Sequence, residues 1–476
     1  MPTVEYELPS GLGPEDFSAR IFGADEPVED DTGLELVPFR GVRFAPDVVG
    51  DLAAVTTPPY DLIDEAAVRR LRASDAHNIV RLILPDGDYE GARATLDDWL
   101  ASGVLKTDQE TALYVYEERS SGLVVQRGLI GGVGLRPGPV LPHEDVYPGP
   151  VRDRLALMGT TESNLEPIFL LYDGGGPASD LVDQTASGEP ILEVSTDDGI
   201  THRLWPITDS AAHDLIAADL RDRQALIADG HHRYATYRAL QARHDAPGPW
   251  SHGLALLVDS SRYPPRLGAI HRVLPNLPPE IAVARARDFF TVTDLPTDGT
   301  PLSPHHSQEG PLKATPTPSQ PQDGPMEATP TPSQPHEGPL KAALTALAAT
   351  SARSSFLLAG GGHLWLLTDP DPVQLARSMP PGHSERWRRL DTAILDHLLI
   401  EHAWAIKADE RSVEVVHHDA AAAIAKANRT GGTAVILNPL QVDDVIAVAA
   451  GGERVPRKST SFGPKPRTGL LLRLLR

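Results

Sequence analysis

The chain contains no cysteine. Disulfide frameworks, thiolate metal sites and a cysteine nucleophile are therefore excluded, and any catalysis must run on oxygen and nitrogen groups or on a bound cofactor. Positive charge is also short: 43 Lys and Arg against 65 Asp and Glu leave a net charge of −22 and a pI near 5.2. That balance repels phosphate backbones and anionic lipid, so neither a nucleic-acid nor a membrane partner is expected. No apolar run is long enough to span a bilayer, and the first thirty residues have neither a basic start nor an apolar core, which places the protein in the cytoplasm. Two phosphate-binding signatures are missing as well: no GxxxxGK[ST] occurs, and no GxGxxG opens a helix.

What is present is long enough for more than one core. At 476 residues the soft prior is about three domains. The acidic stretch ADEPVEDDTGLE marks residues 1–35 as a disordered tail. Between Pro301 and Pro339 the units GPLKATPTPSQPQD, GPMEATPTPSQPHE and GPLKA recur in tandem. Proline removes backbone donors and the rest is mostly polar, so residues 299–341 read as an insertion or linker. This leaves an α/β domain at 36–298, expected to be the catalytic one, and a smaller α/β domain at 342–476, an α/β (α+β, mixed-sheet) class of fold.

Local patterns support that class. ALYVYEE and GLVVQRGLIGGV flank a Ser-Ser-Gly turn and predict an antiparallel hairpin, while ATLDDWLASGVL has the apolar spacing of an amphipathic helix. HNIVRLILP, with Asn78 and Arg81, reads as a strand. SSFLLAGGGHLWLLTD offers two strands around three glycines, and RLDTAILDHLLIEHAW a helix with Leu390, Ile394, Leu395 and Leu398 on one face.

The sharpest candidate for chemistry is ADGHHRYATYRAL, a buried strand turning at Asp229-Gly230 straight into a helix. Such a turn exposes the first helical N–H groups and suits an anion. Asp229, Gly230, His231, His232 and Arg233 are the expected phosphate-binding residues, with Lys458 added from the basic terminal segment. There, Ser459, Thr460 and Lys465 also fit a phosphate grip. A second cluster, LPHEDVYPGPVRDRLALMGTTESN, sets His143 beside Glu144 ahead of Arg154 and Asn164. Glu144 is the candidate general base, with His143 and His231 as further catalytic candidates. TTPPYDLI forms a rigid turn presenting Tyr60 and Asp61, and AIHRVL sets His271 and Arg272 in an apolar run. Arg154, Asn164 and His271 are the expected substrate contacts.

Together the phrases VPFRGVRF, TTPPYDLI, HNIVRLILP, LPHEDVYPGPVRDRL, TTESNLEPIFLLYD, ADGHHRY, IHRVL, ILNP and VPRKSTSFGPK resemble a bacterial and archaeal family labelled domain of unknown function 1015. The likeness runs from Leu36 to Arg476, and VPRKSTSFGPK departs from the usual, more aromatic ending. DGHHR before a helix further resembles the phosphate-binding box of the ParB and sulfiredoxin superfamily, which includes free-serine kinases. That likeness implies a ParB/sulfiredoxin-like core with a second, smaller domain. It also implies that Gly230, His231, His232 and Arg233 touch the phosphates of a nucleotide or pyrophosphate.

The expectation is a phosphotransferase for a small hydroxylated metabolite, with free serine first. Mg²⁺ would accompany ATP, ADP or pyrophosphate. One alternative is a metal-dependent phosphohydrolase with His143, His231, His232 and Asp229 as ligands. Another is a nucleotide-responsive regulatory or ParB-like binding module.

Overall fold

The computed structural model describes residues 8, 12–22, 33–296, 337–350, 354–407 and 412–476. They form two compact units, Met1–Gly268 with Leu440–Arg476, and Ala269–Pro439.

The first unit is built on a nine-stranded mixed sheet. Its strands are β1 (Leu36–Val37), β2 (Leu113–Ser120), β3 (Leu123–Gly134), β4 (Val140–Leu141), β5 (Ile168–Tyr172), β6 (Leu192–Ser195), β7 (Ile200–Ile207), β8 (Ala225–Asp229) and β9 (His252–Asp259). The order across the sheet is β4-β8-β5-β9-β3-β2-β7-β6, with β1 also on β3. The predicted hairpin is β2–β3, antiparallel with Tyr114 opposite Ile130. β8 runs parallel to β4 and β9 parallel to β5, whereas β8 and β5 are antiparallel. Strands β5, β8 and β9 are apolar on both faces, as central strands covered by helices must be. Leu113, Val115, Leu129, Ile168, Leu170, Ile227 and Leu257 share one buried cluster.

Three helices matter for the site: α1 (Pro14–Phe22), α2 (Pro148–Thr161) and α3 (His231–Gln241). Pro148 supplies the pre-set φ suited to a helix start, and α2 ends at Glu162 in the left-handed region, φ +48°. Phe17 and Ile21 of α1 bury against Val146, Val151 and Ala235. Part of the expected disordered tail is thus a docked helix, because PEDFSARIF carries an apolar stripe that acidic composition masks. The remaining tail residues lie outside the described set.

The second unit carries a six-stranded antiparallel sheet: β10 (Ile270–Leu274), β11 (Thr291–Leu295), β12 (Phe356–Gly360), β13 (His363–Thr368), β14 (Glu414–His417) and β15 (Thr433–Leu437), in the order β11-β13-β12-β15-β10-β14. Two strands around the three glycines are β12 and β13. The fold is therefore mixed α/β with a second, smaller α/β unit. Its division differs from the sequence expectation, since the smaller unit begins at Ala269 and the segment from Leu440 returns to the first unit. Strand pairing decides this: Arg266–Gly268 pairs with Ser461–Gly463, and Leu472–Leu474 joins Gly41–Phe44 and Ser163–Asn164. Of the expected linker, residues 299–336 are outside the described set, and Glu337–Lys341 open a helix running to Ala349.

HNIVRLILP is another correction. Val80–Ile83 is a helical turn, with Ile79, Val80, Leu82 and Ile83 all fully buried. A short run buried on every side has no period to separate helix from strand. Among the described residues, no helix is long and apolar enough to cross a membrane.

Candidate functional site

The turn from β8 into α3 organises the site. The register of β8 on β5 shifts between Ile227 and Asp229, an irregularity that re-aims Asp229 at the strand's end. Gly230 follows at φ +93°, and a Cβ there would lie 3.0 Å from Ile168 Cγ2 and 3.1 Å from Arg233 Nε. Only glycine meets both demands at no cost.

Asp229 is clamped from two sides. Its Oδ2 accepts from Arg233 Nη2 at 2.6 Å, and its Oδ1 lies 2.5 Å from Lys465 Nζ. The same ammonium donates to Asp61 Oδ2 at 2.6 Å, so one lysine bridges two carboxylates. Burial and the nearby Asp61 raise the Asp229 carboxyl above its ordinary range, against Lys465 and Arg233. For Asp61, burial is outweighed by Lys465 and Arg233, and its carboxyl is held low. Arg233 is buried, donates to the Pro167 carbonyl, and stays charged against desolvation because Glu166, Asp229 and Asp61 surround it. Tyr60 lies under two guanidiniums, Arg154 at 4.7 Å and Arg233 at 5.8 Å from the ring centroid. Burial pushes its hydroxyl up to about 12. Glu166 Oε1 accepts from the Tyr60 N–H and the Thr468 hydroxyl. Arg154, Glu166, Arg233 and Tyr237 line a cavity of about 30 Å³, enough for a water.

A histidine cluster adjoins this network. His143 is fully buried, and burial drives its ring down to about 3. Its Nε2 lies 2.8 Å from the Thr460 hydroxyl, which donates to Glu144 Oε1 at 2.8 Å. His231 is held neutral by burial and by neighbouring His143. His232 accepts the Tyr147 N–H on Nε2 at 3.0 Å, and burial with the charge of Lys458 takes it down to about 4. Glu144 is half-buried; burial raises its carboxyl while Thr460 and Lys458 partly restore it. Lys458 itself is exposed.

The expected residues separate into groups. Glu144, His143, Asp229, Gly230, His231, His232 and Arg233 come together, with Lys458 at the rim. Two of the Arg233 guanidinium nitrogens are engaged within the protein, Nη2 on Asp229 and Nη1 on the Pro167 carbonyl. Arg154 reaches the network through Tyr60 and binds Asp153 and the Ile83 carbonyl. Asn164 instead serves the sheet, its Oδ1 accepting from Leu254 N–H and Arg473. His271 belongs to the second unit, where its Nδ1 accepts the Leu437 N–H at 3.4 Å. Glu166 was not singled out by the sequence, which offers no motif for it.

Mg²⁺ needs several oxygen ligands in near-octahedral array. Asp61 and Asp229 are bridged by Lys465 instead, and Arg233 takes the other Asp229 oxygen. Among the described residues, no three His, Asp or Glu side chains are grouped to hold a metal ion. The residues present do not fit a protein-held Mg²⁺, and the His143, His231, His232 and Asp229 ligand set is not assembled.

A family model described as "Protein of unknown function (DUF1015)" matches residues 36–393, leaving Thr460 and Lys465 beyond its reach. No curated protein matches. Among solved structures, a mutant free serine kinase in complex with ADP is similar at 12% identity and TM-score 0.32, covering 70% of this chain and 87% of that one. C-terminally truncated SbnI from Staphylococcus aureus is similar at 11% and 0.32, covering 72% and 87%. A conserved hypothetical protein from Pyrococcus furiosus is similar at 14% and 0.30, covering 70% and 90%. At such TM-scores none of them carries an inference about this chain's chemistry.

Proposed function

This chain belongs to the DUF1015 family, and from its site we propose that it transfers a phosphoryl group to the hydroxyl of a small metabolite. The observation that supports this best is Glu144: a half-buried carboxyl with a raised proton affinity, tied through Thr460 to a neutral histidine and set near the β8–α3 turn. A carboxylate so placed can take a proton from an acceptor hydroxyl, a contribution of about 10²–10⁴-fold. In this reading the acceptor hydroxyl gives its proton to Glu144 as its oxygen bonds to phosphorus. The bond from phosphorus to the leaving phosphate or nucleotide oxygen breaks. The donor's phosphates lie on the first N–H groups of α3 and beside Lys458, where the helix terminus favours negative charge. Asp61, Asp229, Lys465 and Arg233 hold that terminus in place.

Free serine is the first acceptor to try, with ATP, ADP and pyrophosphate as donors, each with and without Mg²⁺. Phosphoserine formation that requires an acceptor supports the reading. Phosphate release independent of any acceptor, or nucleotide binding without turnover, overturns it in favour of a hydrolase or a regulator.

A further inference from the structure

Lys465 stands out as the cation between the half-buried Asp229 and the more exposed Asp61, and it is fixed there from both sides along the chain. Before it, Ser461–Gly463 pairs with Arg266–Gly268. After it, Thr468 exchanges both backbone hydrogen bonds with Thr57, at 3.1 and 2.8 Å. Arg467 donates from Nε to the Thr56 hydroxyl at 2.7 Å and from Nη2 to the Thr56 and Ala53 carbonyls. Its backbone N–H donates to the Tyr116 hydroxyl at 3.1 Å. This anchoring holds a flexible four-carbon side chain within hydrogen-bond reach of two acids that come from distant segments, Asp61 being 404 positions earlier in sequence.

We infer that Lys465 is the site's built-in counter-cation, a positioning residue whose ammonium keeps Asp61 and Asp229 ionised side by side. The half-buried Asp229 carboxylate and the more exposed Asp61 carboxylate share one ammonium, and two acids held this close resist double ionisation unless a cation stands between them. Phosphoryl-transfer sites commonly supply that charge with a divalent ion; here the polypeptide supplies it. The charged groups acting on Asp229 are Asp61, Lys465, Arg233 and Glu144. Of the cations, Arg233 alone cannot balance both carboxylates, since Glu166 also draws on it. The part Lys465 would play in phosphoryl transfer rests on the function proposed above. Its effect on carboxyl charge does not.

Infrared difference spectroscopy at pH 7 reads that charge without turnover. Lys465→Met should gain the carbonyl band of one protonated buried carboxyl, and the band should vanish when Asp229→Asn is added. Lys465→Arg should retain the wild-type spectrum. A folded Lys465→Met protein with no added band overturns the inference, as does the same band in Lys465→Arg. Should Lys465→Met not fold, wild type minus Asp229→Asn still decides: a protonated Asp229 band at pH 7 overturns it, and its absence supports it. A positive infrared result beside a failed phosphotransfer screen would keep the counter-cation and discard only the reaction.

Discussion

His143 and His231 meet edge to face, with ring centroids 4.5 Å apart and planes at 86°. The backbone N–H of His143 donates to His231 Nε2 at 3.3 Å. That bond fixes the tautomer: neutral His231 must carry its proton on Nδ1. His231→Phe would leave a buried N–H unpaired, at a cost of about 1–3 kcal/mol. His231→Gln keeps an acceptor and should lose less, a ranking that thermal unfolding of the two variants will check.

Glu144→Gln keeps the shape of the side chain and removes its proton affinity. Turnover should fall at least a hundredfold while calorimetric affinity for the phosphate donor stays near wild type. Unchanged turnover would make Glu144 a loop residue and send the search for a base elsewhere.

Thr460→Val tests the same group more gently. The Thr460 hydroxyl favours ionised Glu144, so its loss raises the carboxyl further. A base must be ionised to act, and the acid limb of the kcat/KM profile should therefore move to higher pH. A shift to lower pH, or none, contradicts the role of Thr460.

Arg233 gives a prediction that differs from the one its sequence context suggests. As a buried partner of Asp229 it should show its main effect in stability, with Arg233→Ala losing about 3–5 kcal/mol in chemical unfolding. Arg233→Lys should recover only part of this, lacking the fork that spans Asp229 and Pro167. Loss of donor affinity without loss of stability would restore the phosphate-gripping role.

Away from the site, Tyr116 Oη lies 2.7 Å from Glu118 Oε1 and 2.9 Å from His202 Nδ1, on the β2–β7 pair. Burial pushes Glu118 from 4.5 up to about 8. A carboxyl protonated in the fold but ionised in the unfolded chain stabilises below pH 4.5, and that contribution is lost as pH rises through about 8. Glu118→Gln should thus gain stability relative to wild type across this window, by at most about 1.4 kcal/mol per pH unit. Urea unfolding at pH 5 and pH 8 measures the difference.

The local part of the site is legible in the sequence because it is contiguous. Strand β8, the Gly230 turn and α3 lie in one run whose apolar block, glycine and polar cluster each follow from short-range rules. Tyr60, Asp61, Thr460 and Lys465 are visible individually as turn or phosphate-gripping candidates. Their convergence is not visible, since no local rule places Lys465 between Asp61 and Asp229. Glu166 carries no signal because a glutamate in an apolar stretch looks the same before and after it finds Thr468. Arg233 is only half legible for a related reason: the sequence shows a charge beside a helix start, whereas its contacts with Asp229 and Pro167 come from the fold.

The return of the segment after Leu440 to the first unit has a consequence for biosynthesis. A ribosome makes Asp61, Glu144, Asp229 and the whole of the second unit before it reaches Thr460 and Lys465. Until then the nascent first unit holds Asp61 and Asp229 without Lys465 between them and a small sheet lacking Leu472–Leu474. Completion of the carboxylate–lysine network therefore waits until Lys465 has been made and a long loop has closed, however well the earlier segments have folded.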